Sequence, residues 1–141
     1  MGDIKIYLAG GVSGMTTEEA NAWRIKITDL LKNTDGYYKP KCINPVDYYN
    51  FSMPEDSYTQ REIMDFDFNK VRTSDLIIVN FNAPKSLGTA SELTVAYDRN
   101  IPILGLNELG DEIYPWQKEM CLKIFTNMEE LVNYVRGYFL D

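Results

Sequence analysis

Short apolar segments alternate with longer amphipathic segments along this chain. The strand-like segments lie at residues 4–9, 41–44, 75–81, 102–105 and, more weakly, 122–125, and the helix-like segments lie at about 16–33, 58–72, 88–99 and 127–139. Strands that alternate with helices predict a parallel sheet with helices on both faces. The pattern therefore predicts an α/β fold with a doubly wound parallel sheet, formed by a single domain over residues 1–141 without internal repeats.

Two of the predicted helices begin with the spacing of a capping box. Thr16 precedes Glu19 by three residues, and Thr126 precedes Glu129 by three residues. Pro45 ends the second predicted strand, and the segment from there to residue 57 is rich in aromatic residues and lacks periodicity. Such a loop could cover a pocket.

The most distinctive segment is an apolar strand that leads into a turn of small residues. The strand over residues 75–81 precedes Ser86-Leu87-Gly88-Thr89, and Glu92 lies in the first turn of the next helix. Open α/β sheets bind ligands at this edge, and the Ser86 hydroxyl with the free N–H groups around Gly88 suits an anion or a sugar hydroxyl. Thr89 and Glu92 also have capping-box spacing, so Glu92 is either a helix cap or a reactive carboxylate.

Asp67 lies in the middle of the apolar face of the helix predicted at 58–72, whereas Asp65 lies on the opposite face. A helical projection at about 100° per residue places three apolar side chains within about 60° of Asp67, and these are Ile63, Met64 and Val71. A carboxylate in such a place needs a cationic partner, or its pKa rises and it becomes a general acid. If Asp67 forms an ion pair, the candidate partners are Lys70, Arg72 and Arg99.

The first predicted strand ends in a glycine-rich loop, Gly10-Gly11-Val12-Ser13-Gly14. Glycines allow the backbone to approach a ligand closely. Ser13 is either a ligand contact or only a turn residue. Tyr7, inside the strand, is expected to pack in the core, where its hydroxyl needs a hydrogen-bond partner.

Composition narrows the classes of function. The chain has 14 basic and 21 acidic residues, a net charge of −7 and no histidine. Binding to a nucleic acid polymer needs clustered Lys and Arg, so we expect a small-molecule ligand. Without histidine the commonest general base and metal ligand is missing. Catalysis would rely on carboxylates, hydroxyls or amines, and we expect neither a metal nor a cofactor.

Cysteine usage and hydropathy bear on the compartment. Cys42 and Cys121 form no close-spaced pair, which indicates neither a metal site nor a redox motif and suits a reducing environment. No apolar run approaches the length of a membrane span, and the first residues lack the pattern of a signal peptide. We therefore expect a cytoplasmic protein without a membrane partner.

Together these residues resemble the nucleoside 2-deoxyribosyltransferase superfamily, including its hydrolytic relatives that cleave the N-glycosidic bond of 5′-nucleotides. The shared motifs are Ile6-Tyr7-Leu8-Ala9-Gly10, Asp67 eight residues before Asp75, and Gly88-x-x-x-Glu92-Leu93. The resemblance covers nearly the whole chain. It implies a flavodoxin-like sheet of five parallel strands and a homo-oligomer, either a homodimer or an assembly of dimers.

The resemblance also implies roles for three residues. Glu92 corresponds to the nucleophile that attacks the anomeric carbon, Asp67 to the acid that protonates the leaving base, and Tyr7 to the residue that holds the nucleophile in place. The implied function is cleavage or transfer at the N-glycosidic bond of a 2′-deoxynucleoside or its 5′-monophosphate through a covalent deoxyribosyl-glutamate intermediate. This chemistry uses two carboxylates and needs neither imidazole nor metal.

Two positions depart from the transferases of this family. An acidic residue commonly lies near the sugar 5′-hydroxyl there, and this chain has Ser86. A serine beside helix N–H groups donates to a phosphate without repelling it, which favours 5′-monophosphates, and Ser13 would support the same preference. Trp116 fits the segment that reaches into a neighbouring subunit's site, but no matching asparagine lies between Gln117 and Cys121.

Two alternatives remain open at this point. One is a hydrolytic 5′-(deoxy)nucleotide N-glycosidase, and the other is a non-catalytic nucleotide-binding module in which Glu92 only caps its helix. A phosphoribohydrolase of the lysine-decarboxylase-like group is disfavoured. The extra glycines of that group's motif are replaced here by Lys85, Ser86 and Leu87.

Overall fold

The computed structural model describes residues 2–12, 16–48, 59–83 and 85–141. The strands are β1 (Asp3–Gly10), β2 (Lys39–Ile43), β3 (Leu76–Asn80), β4 (Ile103–Leu106) and β5 (Lys123–Phe125). The helices are α1 (Thr17–Lys32), α2 (Gln60–Arg72), α3 (Leu87–Asp98), α4 (Pro115–Met120) and α5 (Met128–Val135). A 3₁₀ turn at Pro45–Asp47 follows β2, and a π-helical turn at Arg136–Leu140 follows α5.

The five strands form one sheet in the order β2-β1-β3-β4-β5, and every pair is parallel. This order is that of a flavodoxin-like fold and confirms the predicted fold class. Because β1 pairs with β2 on one side and with β3 on the other, the winding of the chain reverses next to β1. Adjoining connections diverge at such a point and leave a crevice at the carboxyl ends of the strands. Gly10 of β1 and Asn80 of β3 are paired at this edge.

Alternating residues of β1 pack into two separate hydrophobic cores, one on each face of the sheet. Ile6 and Leu8 pack against α1 and α5, and we call this side the α1/α5 face. Tyr7 and Ala9 pack on the other side with Val71 of α2 and with residues of α3, and we call this side the α2/α3 face. No helix within the described ranges is long and apolar enough to cross a membrane.

Several boundaries differ from the predicted ones for identifiable reasons. β2 begins at Lys39 rather than at residue 41 and includes Pro40, which a strand at the edge of a sheet tolerates because one side of it needs no ladder hydrogen bonds. The helix predicted from residue 58 begins at Gln60, because Thr59 caps it by accepting a hydrogen bond from the Glu62 N–H. The predicted start at residue 58 lies outside the described residues.

The C-terminal part of the chain departs most from the prediction. α4 carries a proline at its first position and is too short to give a periodic pattern. The predicted cap at Thr126 is wrong, because Asn127 caps α5 and accepts a hydrogen bond of 2.8 Å from the Glu130 N–H. The capping residue predicted for α1 is correct, because the Thr16 hydroxyl accepts a hydrogen bond of 3.1 Å from the Glu19 N–H.

Candidate active site

A buried tyrosine–glutamate pair lies on the α2/α3 face of the sheet. The Tyr7 hydroxyl donates a hydrogen bond to Oε2 of Glu92. Tyr7 comes from β1 in the middle of the sheet, and Glu92 comes from the second turn of α3, where only 9% of it is exposed. The two residues are 85 positions apart in the chain, so the fold, and not local sequence, brings them together.

Glu92 does not cap its own helix. α3 begins at Leu87, and Ser86 is the residue that caps it, because the Ser86 hydroxyl accepts from the Thr89 N–H at 3.3 Å and from the Thr89 hydroxyl at 3.1 Å. The spacing between Thr89 and Glu92 therefore does not reflect a capping box. The side chain of Glu92 instead accepts a hydrogen bond from the Tyr7 hydroxyl.

Asp67 is half-buried on α2, and one of its oxygens has no partner. Its Oδ1 atom is buried and accepts no hydrogen bond from any residue that the structure describes. Burial raises the pKa of Asp67 to about 6, and the charge of Arg24 opposes this rise. Asp65, one helical face away, is exposed and forms a 2.9 Å ion pair with Arg61. The face assignment of both carboxylates is thus as the projection predicted, although Met64 is more exposed than expected.

The three cations suggested as partners of Asp67 form no ion pair with it. The Lys70 ammonium lies over the rings of Tyr48 and Phe66, at 5.6 and 5.3 Å from their centroids. The Arg72 guanidinium lies 5.8 Å from the centroid of Phe68, and Arg99 is the exposed residue after α3. Aromatic faces attract such cations at this distance. The structural explanation of Asp67 as half of an ion pair is therefore wrong within the described residues.

Burial dominates the electrostatics of Glu92 as well. It raises the pKa of Glu92 from 4.5 to about 7, and the negative charge of Asp67 adds to the rise. The hydrogen bond from Tyr7 and the charge of Arg24 act in the opposite direction. Burial also raises the pKa of Tyr7 well above 10.0, with further contributions from Glu92 and Asp67. Tyr7 therefore stays protonated and donates to Glu92.

Arg24 is a member of this cluster that the sequence analysis did not identify. It lies on α1, is fully buried and donates hydrogen bonds to backbone carbonyls at the end of β1. Its charge acts on Tyr7, Asp67 and Glu92. The signal was present in the sequence, because Arg24 falls within a helical stripe of apolar residues formed by Ala20, Trp23, Ile27 and Leu31.

Three of the four residues predicted to bind substrate lie at the end of β1 or at the start of α3, and these are Gly10, Ser86 and Gly88. Gly10 ends β1, and a Cβ atom there would come within a close 3.2 Å of the Trp23 ring and 3.3 Å of the Asn80 carbonyl, and a contact of Gly10 with substrate stays a prediction. Gly88 lies exposed in the first turn of α3 next to Ser86, with open space where its Cβ would be. Ser13 lies outside the described residues.

Three further residues lie in segments that follow strands of the sheet, and these are Asn44, Asn82 and Trp116. Asn44, at the end of β2, donates from its side-chain amide to the side chain of Asn21, and the Oδ1 atom of Asn82 after β3 is buried without a partner among the described residues. The sequence analysis identified neither asparagine. Trp116 is 68% exposed on α4 and packs against the ring of Tyr114.

Comparison with known sequences gives one extended match. The family model described as nucleoside 2-deoxyribosyltransferase matches residues 6–132, a span that contains Tyr7, Asp67 and Glu92. No curated protein matches the chain.

Solved structures share the fold at low sequence identity. A conserved protein from Enterococcus faecalis V583 has a TM-score of 0.79 at 19% identity, covering 96% of this chain and 98% of that one. The 2-deoxyribosyltransferase of Bacillus psychrosaccharolyticus has a TM-score of 0.69 at 18% identity, covering 92% and 91%. The CMP N-glycosidase of Clostridium botulinum has a TM-score of 0.59 at 17% identity, covering 95% and 99%.

Proposed function

The chain belongs to the nucleoside 2-deoxyribosyltransferase family, and from this premise we propose that it cleaves or transfers at the N-glycosidic bond of 2′-deoxynucleosides or their 5′-monophosphates. The observation that carries this proposal is the buried hydrogen bond from Tyr7 to Glu92. A glutamate that only completed a capping box would lie three residues after the cap. With Ser86 as the cap of α3, that position is occupied by Thr89.

In the first half of the reaction, a Glu92 carboxylate oxygen attacks the anomeric carbon of the sugar. The bond from that carbon to the base nitrogen breaks, its electron pair goes to the base, and the proton of Asp67 passes to the departing base. The products are a deoxyribosyl ester of Glu92, a free base and an ionised Asp67. The pKa values of about 6 for Asp67 and about 7 for Glu92 leave the pair sharing about one proton near neutrality, and the reactive form is the one in which Asp67 holds it.

In the second half, an acceptor base or a water molecule attacks the same carbon. The ester bond to Glu92 breaks, its electron pair returns to the carboxylate, and Asp67 takes up the proton that the incoming group loses. Each half inverts the configuration, so the product retains it overall. The hydroxyl of Tyr7 keeps Glu92 in a fixed orientation through both steps.

The start of α3 favours a 5′-monophosphate over a free nucleoside. In both of its hydrogen bonds the Ser86 oxygen is the acceptor, so its own proton remains to be donated. The first N–H groups of a helix lack carbonyl partners, and here they belong to Leu87 and Gly88. A phosphate suits such a group of donors. On this reading the hydrolytic 5′-(deoxy)nucleotide N-glycosidase is the second candidate, and the CMP N-glycosidase shares the fold.

Product analysis tests the proposal and separates its two forms. The protein is incubated with the common 2′-deoxynucleosides and their 5′-monophosphates, with and without a second free base, and the products are resolved by chromatography. Free base alone indicates hydrolysis, and a new nucleoside or nucleotide indicates transfer. If no substrate yields free base and Glu92→Ala changes nothing, the proposal is refuted in favour of a non-catalytic nucleotide-binding module.

A charge reversal at the helix start tests the substrate class. Ser86→Asp places a carboxylate where we expect the phosphate and should lower kcat/KM for monophosphates selectively. Ser91→Asp is the matched control, because Ser91 is exposed one turn later in α3 and its hydroxyl bonds only to the Leu87 carbonyl. Equal losses for nucleosides and monophosphates in Ser86→Asp would contradict the phosphate assignment.

A further inference from the structure

Arg24 is the largest side chain that the described part of the chain buries completely. A charged group is rarely placed in this way unless an opposite charge compensates it, because removing it from water is costly. The reaction proposed above assigns no task to Arg24. Its surroundings therefore need an explanation of their own.

The direct hydrogen-bond partners of Arg24 are uncharged. Its Nε atom donates to the Leu8 carbonyl and its Nη2 atom to the Gly10 carbonyl, both at 3.1 Å, and its Nη1 atom donates to the Ala20 carbonyl. The indole of Trp23 lies 4.9 Å away, measured to the ring centroid. Arg24 forms no ion pair with a carboxylate in the described ranges. The compensating negative charge must come from farther away.

The groups that supply it lie on three other elements. Tyr7 of β1, Glu92 of α3 and Asp67 of α2 all interact electrostatically with Arg24 and favour its charged form, whereas burial opposes it. Two of these three are the carboxylates that share the proposed reaction. Arg24, Tyr7 and the two carboxylates thus form one cluster from four elements of the fold, in which Asp67 is half-buried and the other three residues are buried.

We propose that Arg24 is a positioning residue that provides the fixed counter-charge for the Glu92–Asp67 pair throughout the reaction, an inference that rests on the proposed function. Before attack the two carboxyl groups share one proton and carry one negative charge, and in the reactive form Asp67 holds that proton. In the ester intermediate Glu92 is neutral and Asp67 is ionised, so they again carry one. A single positive charge on Arg24 balances the cluster in both states.

Without that positive charge, the cluster would carry a net negative charge in a poorly solvated site. The protein would lower this cost by keeping a proton on Glu92, which removes the nucleophile. The hydrogen bonds to Leu8 and Gly10 also anchor the end of β1, next to Tyr7. A test must therefore separate the charge of Arg24 from its role as a backbone anchor.

Two substitutions separate these roles. Arg24→Gln keeps side-chain N–H donors and removes the charge, whereas Arg24→Lys keeps the charge and removes the forked donor. Titration of ¹³C-labelled carboxyl groups by NMR, assigned with Glu92→Gln and Asp67→Asn, reports the midpoints in the free protein. We expect both midpoints to rise by about one pH unit in Arg24→Gln and to stay in place in Arg24→Lys. The pH profile of kcat/KM should move upward by the same amount in Arg24→Gln.

Loss of activity in Arg24→Gln with midpoints and pH profile at their wild-type values would overturn the proposal and leave Arg24 as an anchor only. If neither variant folds, the native Arg24 is tested by a cycle of Glu92→Gln, Asp67→Asn and the double variant. Each single variant keeps one carboxylate that can compensate the charge of Arg24. The double variant keeps neither. The drop in Tm of the double variant should exceed the sum of the single effects, and an additive result would overturn the proposal.

The NMR midpoints and the Tm cycle do not depend on turnover. A protein that releases no base from any substrate, with midpoints that shift in Arg24→Gln, would refute the proposed function and retain the charge pairing. A protein that is active, with midpoints that do not shift, would refute the charge pairing alone.

Discussion

The two faces of the sheet are built from neighbouring residues of the same strands and have different contents. On the α1/α5 face, Ile6 and Leu8 join a cluster of aliphatic and aromatic side chains that extends to Leu131 and Val135. On the α2/α3 face, Tyr7 lies among apolar residues and bonds to the Glu92 carboxylate. Side chains of a strand alternate between faces. One strand therefore contributes to packing on one side and to the proposed chemistry on the other.

Replacing the carboxylate of Glu92 should have the largest effect on the α2/α3 face. Glu92→Gln preserves the size of the side chain and removes the nucleophile, so we expect kcat to fall by about 10⁴-fold or more. Single-turnover measurements of base release check this. Glu129→Gln is the control, because Glu129 is exposed at the start of α5 on the opposite side of the sheet. Comparable losses of kcat in Glu92→Gln and Glu129→Gln would contradict the assignment of the chemistry to the α2/α3 face.

The same substitution should stabilise the fold at higher pH. The pKa of Glu92 is about 7 in the folded protein and 4.5 ordinarily, so the folded state binds the proton more tightly than the unfolded state. The stability from this group is present below about pH 4.5 and is lost as the pH rises through about 7. The Tm of Glu92→Gln relative to wild type should therefore increase over this range. A constant difference would contradict the raised pKa.

Asp67→Asn should reduce activity by about 10²- to 10³-fold, because the leaving base then departs without a proton. A deoxyriboside of 4-nitrophenol, which departs as an anion, should lose much less activity in the same variant. Asp65→Asn is the matched control on the exposed face of α2. Equal losses for both leaving groups would show that Asp67 is not the acid.

A truncation in the α1/α5 cluster should affect stability and not chemistry. Leu131 is fully buried there, so Leu131→Ala should lower the free energy of unfolding by about 2–5 kcal/mol. Urea denaturation measures this change. At a temperature where both proteins are folded, kcat should match that of the wild type. A large fall in kcat under those conditions would show that the two faces are coupled.

Tyr7→Phe tests the boundary between packing and chemistry within one side chain. The ring keeps its place in the core, and only the hydrogen bond to Glu92 is lost. A hydrogen bond to a charged group is worth about 1.5–3 kcal/mol, which predicts a roughly 10- to 100-fold fall in kcat/KM. The acid limb of the pH profile should move upward, because this hydrogen bond lowers the pKa of Glu92. An unchanged profile would assign Tyr7 to packing alone.

The sequence was sufficient to predict the fold class and the pairing of Tyr7 with Glu92 by family resemblance. Strands such as β3 are buried on both faces and read as continuous apolar runs, so their places were clear. The burial of Asp67 was also predicted, because a single charge within an apolar helical stripe is conspicuous. Apolar runs and helical periodicity are properties of neighbouring residues, so they can be recognised in a single sequence.

The start of α3 and the burial of Arg24 were harder to predict for physical reasons. Ser86 and Thr89 are both good caps, so local sequence alone does not decide which begins the helix. Arg24 also lies within an apolar helical stripe, but the long side chain of an arginine at such a position ordinarily extends to water. Arg24 is buried because carbonyls at the end of β1 accept its hydrogen bonds. Such partners are known only once the tertiary structure is known.

The position of Tyr7 within the sheet has a consequence for how this scaffold could diversify. Tyr7 is paired with Ile43 on one side and with Ile77 on the other, so its direction is fixed by two ladders of backbone hydrogen bonds. A shift of one residue in β1 would replace the phenol with the aliphatic side chain of Leu8. Insertions and deletions within β1 are therefore excluded, whereas the connecting loops are free to change in length. New substrate ranges can evolve, or be engineered, in those loops while the reacting groups keep their alignment.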